Sequence, residues 1–523
     1  MTATAAIARG RVAHLWTSAW RRLHDSPTMR HPAYVWCFLA AFVLDMFSGY
    51  SQYIGLPVSG DRLFIPAGLV LLLLDRRTER LRWQDLYVLM ALLVAIALAS
   101  AAAAGTISRP LAQFALLDRI AVPFLLFMVA PLVFTTPERR DLLLKTVTLI
   151  GVYLGATAIA EMFAPSLVWP RYITDPSLGI HIGRARGPFV IAETNGMALA
   201  LAFFCAALVY ARSTRGSLWR PGAGLAMILC AAGAGLTLTR SVWVGILLGP
   251  VLVAVVHRPA RRYVAGLLIA IVLGLALAVP AVPQLAESFN SRLTQESSLY
   301  DRQNVNDAAL RAVAAEPLTG IGWGRFVLGG NDWVRQADDY PLTNTSIEVH
   351  NVVLSRAAEL GLPAAALTVL TYLLGPFRAA LVRGRGDLRQ WQLLLIASLG
   401  VLLPPLALSP NASPLPNYLI WTFAGIAARP ILVRGAGQEL DQDFWRAVSV
   451  PRPVRDARKL RRDPGAAAAG RDRFTRRAAG RPLGDSSHEP SPTRRHDAQT
   501  QAQAQPHRRH RGAARRPRPR LRP

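Results

Sequence analysis

Seven ionisable side chains lie inside long apolar segments of the chain. They are Asp45, Asp118, Arg119, Glu161, Glu193, Arg240 and His350. A charged group in a bilayer is costly unless it is paired or hydrated, so each is a candidate for chemistry. Taken singly, each also fits a structural ion pair or a side chain that reaches towards the interface. Tracing the segments in their predicted directions places all seven in the outer part of the membrane, which favours a polar chamber open to the outer face.

A histidine near a helix start offers acid–base chemistry. Only His181 and His350, of ten histidines, are predicted on the outer side. The stretch Thr345-Ser-Ile-Glu348 predicts a capping box, which would place His350 in the first turns of a helix. The positive end of the helix dipole disfavours imidazolium, so His350 is expected to be neutral and able to accept a proton. A plain interfacial histidine is the alternative interpretation.

The composition excludes an ordinary soluble enzyme. The chain has 523 residues, of which 52% are hydrophobic and 17% charged, whereas soluble domains carry about 25% charged residues. Apolar runs near the length that crosses a bilayer predict an all-α polytopic membrane protein with about twelve transmembrane helices. The predicted spans are 33–50, 62–75, 84–104, 113–134, 142–163, 188–210, 222–239, 241–256, 263–281, 349–375, 390–409 and 415–431. Cys37, Cys205 and Cys230 fall inside these runs, which offer neither a disulfide nor a metal site.

Basic residues predict the orientation. The N-terminal segment and every second loop after it carry three to five Lys or Arg each, which favours the cytoplasmic side. Both termini are therefore expected in the cytoplasm, and residues 282–348 form one long extracytoplasmic loop. The predicted organisation is a cytoplasmic segment at 1–32, a transmembrane domain at 33–431 and a basic cytoplasmic tail at 432–523. The chain would lie in the cell inner membrane.

The tail explains most of the net charge. Residues 429–523 hold 24 basic and 9 acidic side chains, a balance of +15 out of a formal +27. The charge is therefore no evidence for a nucleic-acid partner. Large apolar residues are scarce beyond position 450, so the tail is expected to be disordered and to bind anionic lipid weakly. Its composition equally fits a frameshifted reading frame.

Several short motifs resemble one known family. They are Arg184-Ala-Arg186-Gly-Pro-Phe189, Asn195-Gly196, Thr239-Arg240-Ser241, Pro317-Leu-Thr-Gly320-Ile-Gly322, His350-Asn351 and Glu359-Leu-Gly361. Their order and spacing, with a long loop before the histidine, resemble the O-antigen ligase and O-antigen polymerase superfamily over roughly residues 60–430. The stretch Gly-Leu-Pro-Ala at 361–364 departs from the family, which often has a second glycine there.

The resemblance implies a GT-C-like membrane glycosyltransferase that needs neither metal nor cofactor. The donor would be an undecaprenyl-diphosphate-linked glycan, and the acceptor a glycan, lipid or protein hydroxyl. The family's essential arginines match Arg186 and Arg240, and Arg184 competes for the first role. Arg184 and Asn195 are counted with them as substrate-binding residues. The family's essential histidine matches His350, the expected general base, and attack opposite the diphosphate implies inversion.

Two other classes remain open at this point. Twelve spans with both termini inside also describe many transporters, including a flippase of lipid-linked sugars. A major-facilitator carrier would place its longest loop inside, between its halves, whereas the longest loop here is predicted outside. A peptidoglycan-type polymerase would be expected to use an acidic catalytic residue in place of a histidine.

Overall fold

The computed structural model describes residues 31–434, except for 77, 181, 268, 270–296, 327–332, 336–347, 383 and 410–412. The chain divides into two units, Met1–Val450 and Pro451–Pro523. All described residues belong to the first unit. Almost all of the predicted tail (432–523) and of the predicted N-terminal segment (1–32) lies outside them.

The described part of the first unit is helical. Its main helices are α1 (Ala33–Asp45), α2 (Gly60–Leu74), α3 (Asp85–Ala103), α4 (Pro110–Val133), α5 (Pro137–Phe163), α6 (Ala192–Arg212), α7 (Trp219–Leu236), α8 (Arg240–Val256), α9 (Ser297–Ala315), α10 (Val352–Leu381), α11 (Gly386–Leu408) and α12 (Pro414–Ala427). Among the described residues the only β pairing is an isolated bridge between Leu81 and Val433. The all-α membrane class is confirmed.

The predicted number of spans is not confirmed. Within the described residues, six helices (α3, α4, α5, α6, α10 and α11) are long and apolar enough to cross a membrane. A seventh span results if α1 and the turn Ser48–Ile54, bent by 88°, count as one, and α8 is apolar but shorter. The predicted span 263–281 starts in a helix at 261–267 and then leaves the described residues. Twelve spans therefore stay a prediction.

Small residues let the central helices approach closely. Most of the α6 surface is buried, against α5, α7, α11 and α12. Where α8 crosses α11, a Cβ added to Gly400 would overlap the backbone of Gly249, so only glycine fits the crossing. Dispersion and close backbone packing drive helix association in lipid, where the hydrophobic effect between helices is absent.

One end of the bundle is fixed by buried ion pairs. Arg140 donates through Nε to Asp387 at 2.6 Å, and Arg212 lies 2.5 Å from the other oxygen of the same carboxylate. These contacts tie α5, α6 and α11 together, and Arg140 is fully buried. The motif residues gather at the other end, called the site end from here on, where α8 and α10 begin.

Candidate functional site

His350 lies just before α10 and not inside it. The helix begins at Val352, and the side chain of Asn351 caps it by accepting a hydrogen bond from the Leu354 amide at 2.9 Å. The capping residue expected from the sequence, Thr345, lies outside the described residues, and Glu348 binds another helix instead. The predicted capping-box role of Glu348 is therefore wrong: Asn351 satisfies a free amide of the first turn.

The surroundings of His350 favour a neutral ring. Burial and the Arg302 guanidinium lower the pKa of His350 to about 4, although the Glu348 backbone, the Glu348 carboxylate and Asp301 act in the opposite direction. Its Nδ1 atom is buried and has no hydrogen-bond partner among the described residues. Desolvation and a neighbouring cation thus favour the neutral state that the sequence predicts from the helix dipole. A neutral imidazole can accept a proton.

Helix α9 carries Arg302 to this position. The apolar positions Val305, Ala308, Ala309 and Val313 predict a helix at 301–315, and the helix extends from Ser297 to Ala315. Its apolar face is fully buried and packs against Val349, Ala358 and Phe326; it consists of Val305, Ala308, Ala309 and Ala312. Arg302 lies one turn before Val305 on the same face, since residues three apart in a helix are neighbours. Packing of α9 on α10 therefore brings Arg302 beside His350.

The glycine motif joins the loop after α9 to α10. Ile321 and Gly322 donate backbone hydrogen bonds to the carbonyls of Ala358 and Glu359, at 2.9 and 3.0 Å. Helix α10 is interrupted at Gly361, which has φ 85° and ψ 167°, a conformation that is essentially restricted to glycine. A Cβ on Gly361 would overlap the backbone of Leu318. The Pro317–Gly322 and Glu359–Gly361 motifs are thus two sides of one backbone contact.

Two arginines approach one carboxylate at the site end, and a third lies near one of them. Glu193, in the first turn of α6, accepts hydrogen bonds from Ser409 at 3.0 Å and Ser241 at 3.4 Å, and it interacts electrostatically with Arg302 and Arg184. Burial and Arg240 lower the pKa of Arg302, while Glu193 opposes them. Arg302 thus interacts electrostatically both with Arg240 and with His350.

Arg240 is the most accessible cation of this group. It is the first residue of α8, and its side chain is exposed. None of the described residues forms a hydrogen bond or ion pair with its guanidinium. A guanidinium that is free to bind can hold two phosphate oxygens through parallel hydrogen bonds.

Arg186 occupies a different environment from the one predicted. Only 3% of it is exposed. Its guanidinium donates to the carbonyls of Leu178 (2.6 Å), Ile173 (2.8 Å) and Asp175 (3.1 Å), and its Nε lies 3.5 Å from Glu161. A phosphate could bind only if these carbonyls were released. In this structure Arg186 therefore organises the loop between α5 and α6.

Asn195 supports the same loop. It is fully buried and donates from Nδ2 to the Ala185 carbonyl at 3.1 Å. Gly187 passes directly over this amide, and a Cβ there would lie 2.6 Å from Asn195 Oδ1. In this structure Asn195 holds the loop that carries Arg184, and its contact with a substrate stays a prediction. His181, the other histidine expected outside, lies outside the described residues.

Arg302 and the contact of Glu348 with Arg119 were missed by the sequence analysis. The sequence singles out cations in apolar segments and in the family motifs, whereas Arg302 belongs to the polar helix α9. The feature of the sequence that indicates Arg302 is its position, one helical turn before the buried Val305. A helical periodicity analysis of the long loop would have placed Arg302 on the packed face of α9.

These features define a helical membrane protein with a cationic site and a neutral histidine at one end of its bundle. Residues 225–369 match the family model described as O-Antigen ligase. The match contains Arg240, Arg302, His350 and the backbone contact at Gly361, and it confirms the resemblance drawn from the motifs. Residues 225–369 are thus similar to O-antigen ligases, a family of membrane glycan processing and polysaccharide biosynthesis. No curated protein matches the chain.

Proposed function

We propose that the chain transfers a glycan from an undecaprenyl-diphosphate-linked donor to an acceptor hydroxyl at the outer face of the inner membrane. The observation that carries the proposal is the neutral His350 beside Arg302, inside the matched domain. The distribution of Lys and Arg supports an extracytoplasmic site and cytoplasmic termini. This arrangement would meet a lipid-linked donor in the outer leaflet.

In the proposed reaction Arg240 and Arg302 bind the diphosphate, and Arg184 adds positive charge near Glu193. His350 removes the proton from the acceptor hydroxyl as its oxygen attacks C1 of the donor sugar. The bond from C1 to the phosphate oxygen breaks, and undecaprenyl diphosphate leaves with the electron pair. Attack opposite the leaving group inverts the configuration at C1, and fixed cations supply the charge stabilisation without a metal.

Donor binding would strengthen the base. In the unliganded protein Arg302 helps to hold the pKa of His350 at about 4, which makes the ring a weak base. An anionic diphosphate bound to Arg302 would offset this positive charge, so the pKa of His350 would rise. A base is most effective when its pKa lies near the working pH. The site would therefore acquire its basicity when the donor is present.

Arg240→Ala tests the diphosphate contact. A hydrogen bond to a charged group contributes about 1.5–3 kcal/mol, so undecaprenyl diphosphate should bind the purified variant roughly 10–100-fold more weakly. Arg240→Lys should be impaired almost as much, because lysine keeps the charge but cannot form the two parallel hydrogen bonds of a guanidinium. Isothermal titration or thermophoresis in detergent measures both affinities.

A matched control is Arg171→Ala, which removes an exposed arginine that donates to the Ser166 carbonyl in the loop after α5. Its affinity should equal that of the unmodified protein. Wild-type affinity in Arg240→Lys would mean that Arg240 contributes only charge. Wild-type affinity in Arg240→Ala would remove it from the donor site.

A further inference from the structure

A π-helical turn in the middle of α4 presents two adjacent charged residues to different partners. The turn comprises Leu117–Ala121 and contains Asp118 and Arg119. Asp118 accepts hydrogen bonds from Tyr418 at 2.7 Å and from Arg62. Arg119 instead contacts Glu348, beside the proposed base. Such turns interrupt regular α-helices and are frequent at functional sites.

The contact between Arg119 and Glu348 is bidentate. The distances are 2.5 Å from Nη1 to Oε2 and 2.7 Å from Nη2 to Oε1, and both side chains are largely shielded from solvent. Two parallel hydrogen bonds fix orientation as well as distance. Burial alone would raise the pKa of Glu348, but the Arg119 guanidinium outweighs it, and the pKa lies below its usual value.

Glu348 in turn acts on His350, two residues later. Both its backbone and its carboxylate interact with the imidazole. Asp301 and Arg302 face the same ring from α9. Behind Glu348, Arg356 adds a second cation, and Glu359 faces Arg119. The ring thus lies between the Glu348 carboxylate, which is paired with Arg119, and the Arg302 guanidinium, which we assign to donor binding.

We propose that Arg119 is a positioning residue: its bidentate contact with Glu348 holds the segment 348–351 in place, and its charge offsets part of the effect of the Glu348 carboxylate on the imidazole. This inference rests on the proposed function. In the proposed reaction Arg119 contacts neither the donor nor the acceptor. The anchor for the bidentate contact is the π-turn, whose other charged residue is held by Tyr418 and Arg62.

The pH dependence of kcat/KM separates this role from a merely structural one. In the wild type the acid limb should follow His350, whose pKa is about 4, and activity should be level at neutral pH. Arg119→Gln leaves the Glu348 carboxylate uncompensated, which raises the pKa of His350. Protonation then persists to higher pH, so the acid limb should move up by about one pH unit. A displaced base should also lower kcat, by up to about 100-fold.

The double variant sharpens the test. Glu348→Gln removes the carboxylate, so its acid limb should stay at the wild-type position or move to lower pH. Arg119→Gln combined with Glu348→Gln should bring the limb back towards wild type, although the lost bidentate contact still lowers kcat. Arg119→Lys keeps the charge without the bidentate contact, so its limb should stay near wild type while kcat falls.

Arg429→Gln is the control, because it breaks an ion pair between a buried arginine and the exposed Glu79, at 2.7 Å, just beyond the C-terminal end of α12. It should not move the limb. The inference would be overturned by an unmoved acid limb in Arg119→Gln, or by a wild-type kcat in Arg119→Lys. Either result would leave the proposed function intact. A wild-type protein that transfers no glycan would instead refute the proposed function.

Discussion

His350→Ala should lower turnover by about 10²–10⁴-fold, the usual contribution of a positioned general base. Donor affinity should change little, because the diphosphate contacts assigned to Arg240 and Arg302 remain. The variant should also fold, since His350 precedes α10, and Asn351, which caps that helix, is untouched. Single-turnover transfer from a purified undecaprenyl-diphosphate glycan measures the chemical step, and a separate titration measures binding.

The control is His257→Ala, which should keep wild-type turnover. His257 lies at the end of α8, distant in sequence from the His350-Asn351 motif. Normal turnover in His350→Ala would remove the base assignment. Glu193 would then be the better candidate, because its carboxylate lies among the same arginines and accepts hydrogen bonds from two serines.

Gly361→Ala should abolish activity and greatly reduce the amount of folded protein. The backbone conformation of Gly361 costs about 1–3 kcal/mol for a residue with a side chain, and the added Cβ would also overlap the backbone of Leu318. The loop and α10 would have to separate, which breaks the hydrogen bonds of Ile321 and Gly322. Because the same contact seats α9, Arg302 would lose its place beside His350.

Thermal unfolding of the detergent-solubilised protein, followed by size-exclusion fluorescence, measures this loss. Gly222→Ala is the matched control, since a Cβ at Gly222 meets open space and alanine suits a helix better than glycine. It should be as stable as wild type or slightly more so. A Gly361→Ala protein with wild-type stability and activity would show that the contact between loop and helix is dispensable.

The membrane class was predictable from the sequence because the apolar runs are long and their composition leaves no soluble alternative. The start of α10 was harder to predict. Thr345 and Glu348 have the spacing of a capping box, but the tertiary contact with Arg119 engages Glu348 and leaves capping to Asn351. Local sequence patterns carry no information about such a partner, which lies 229 positions away in the chain.

The motif arginines show a second limit. The sequence indicated that Arg184, Arg186 and Arg240 belong to one motif set, but it could not show where each guanidinium points. Arg186 turns inwards to three carbonyls, whereas Arg240 is exposed. Burial of Arg186 is possible because its loop supplies those acceptors and Glu161 supplies a charge, a combination that exists only in the folded chain.

The site also gives physical meaning to the order of the motifs. Asn195 and Gly187 hold the loop of the first arginines, and Gly320 and Gly361 seat the loop after α9 on α10. These residues do not contact the proposed reacting atoms. They determine where Arg184, Arg302 and His350 meet, and a displacement of about 1 Å in such a site can cost about 100-fold in rate.

The most direct test uses right-side-out membrane vesicles from cells that produce the protein, supplied on the outside with a labelled undecaprenyl-diphosphate glycan. The account predicts that label moves to a membrane acceptor, that undecaprenyl diphosphate appears in equal amount, and that vesicles with His350→Ala show neither. Recovery of the intact labelled donor on the inner side, with no undecaprenyl diphosphate released, would identify a transporter of lipid-linked sugars and contradict the account.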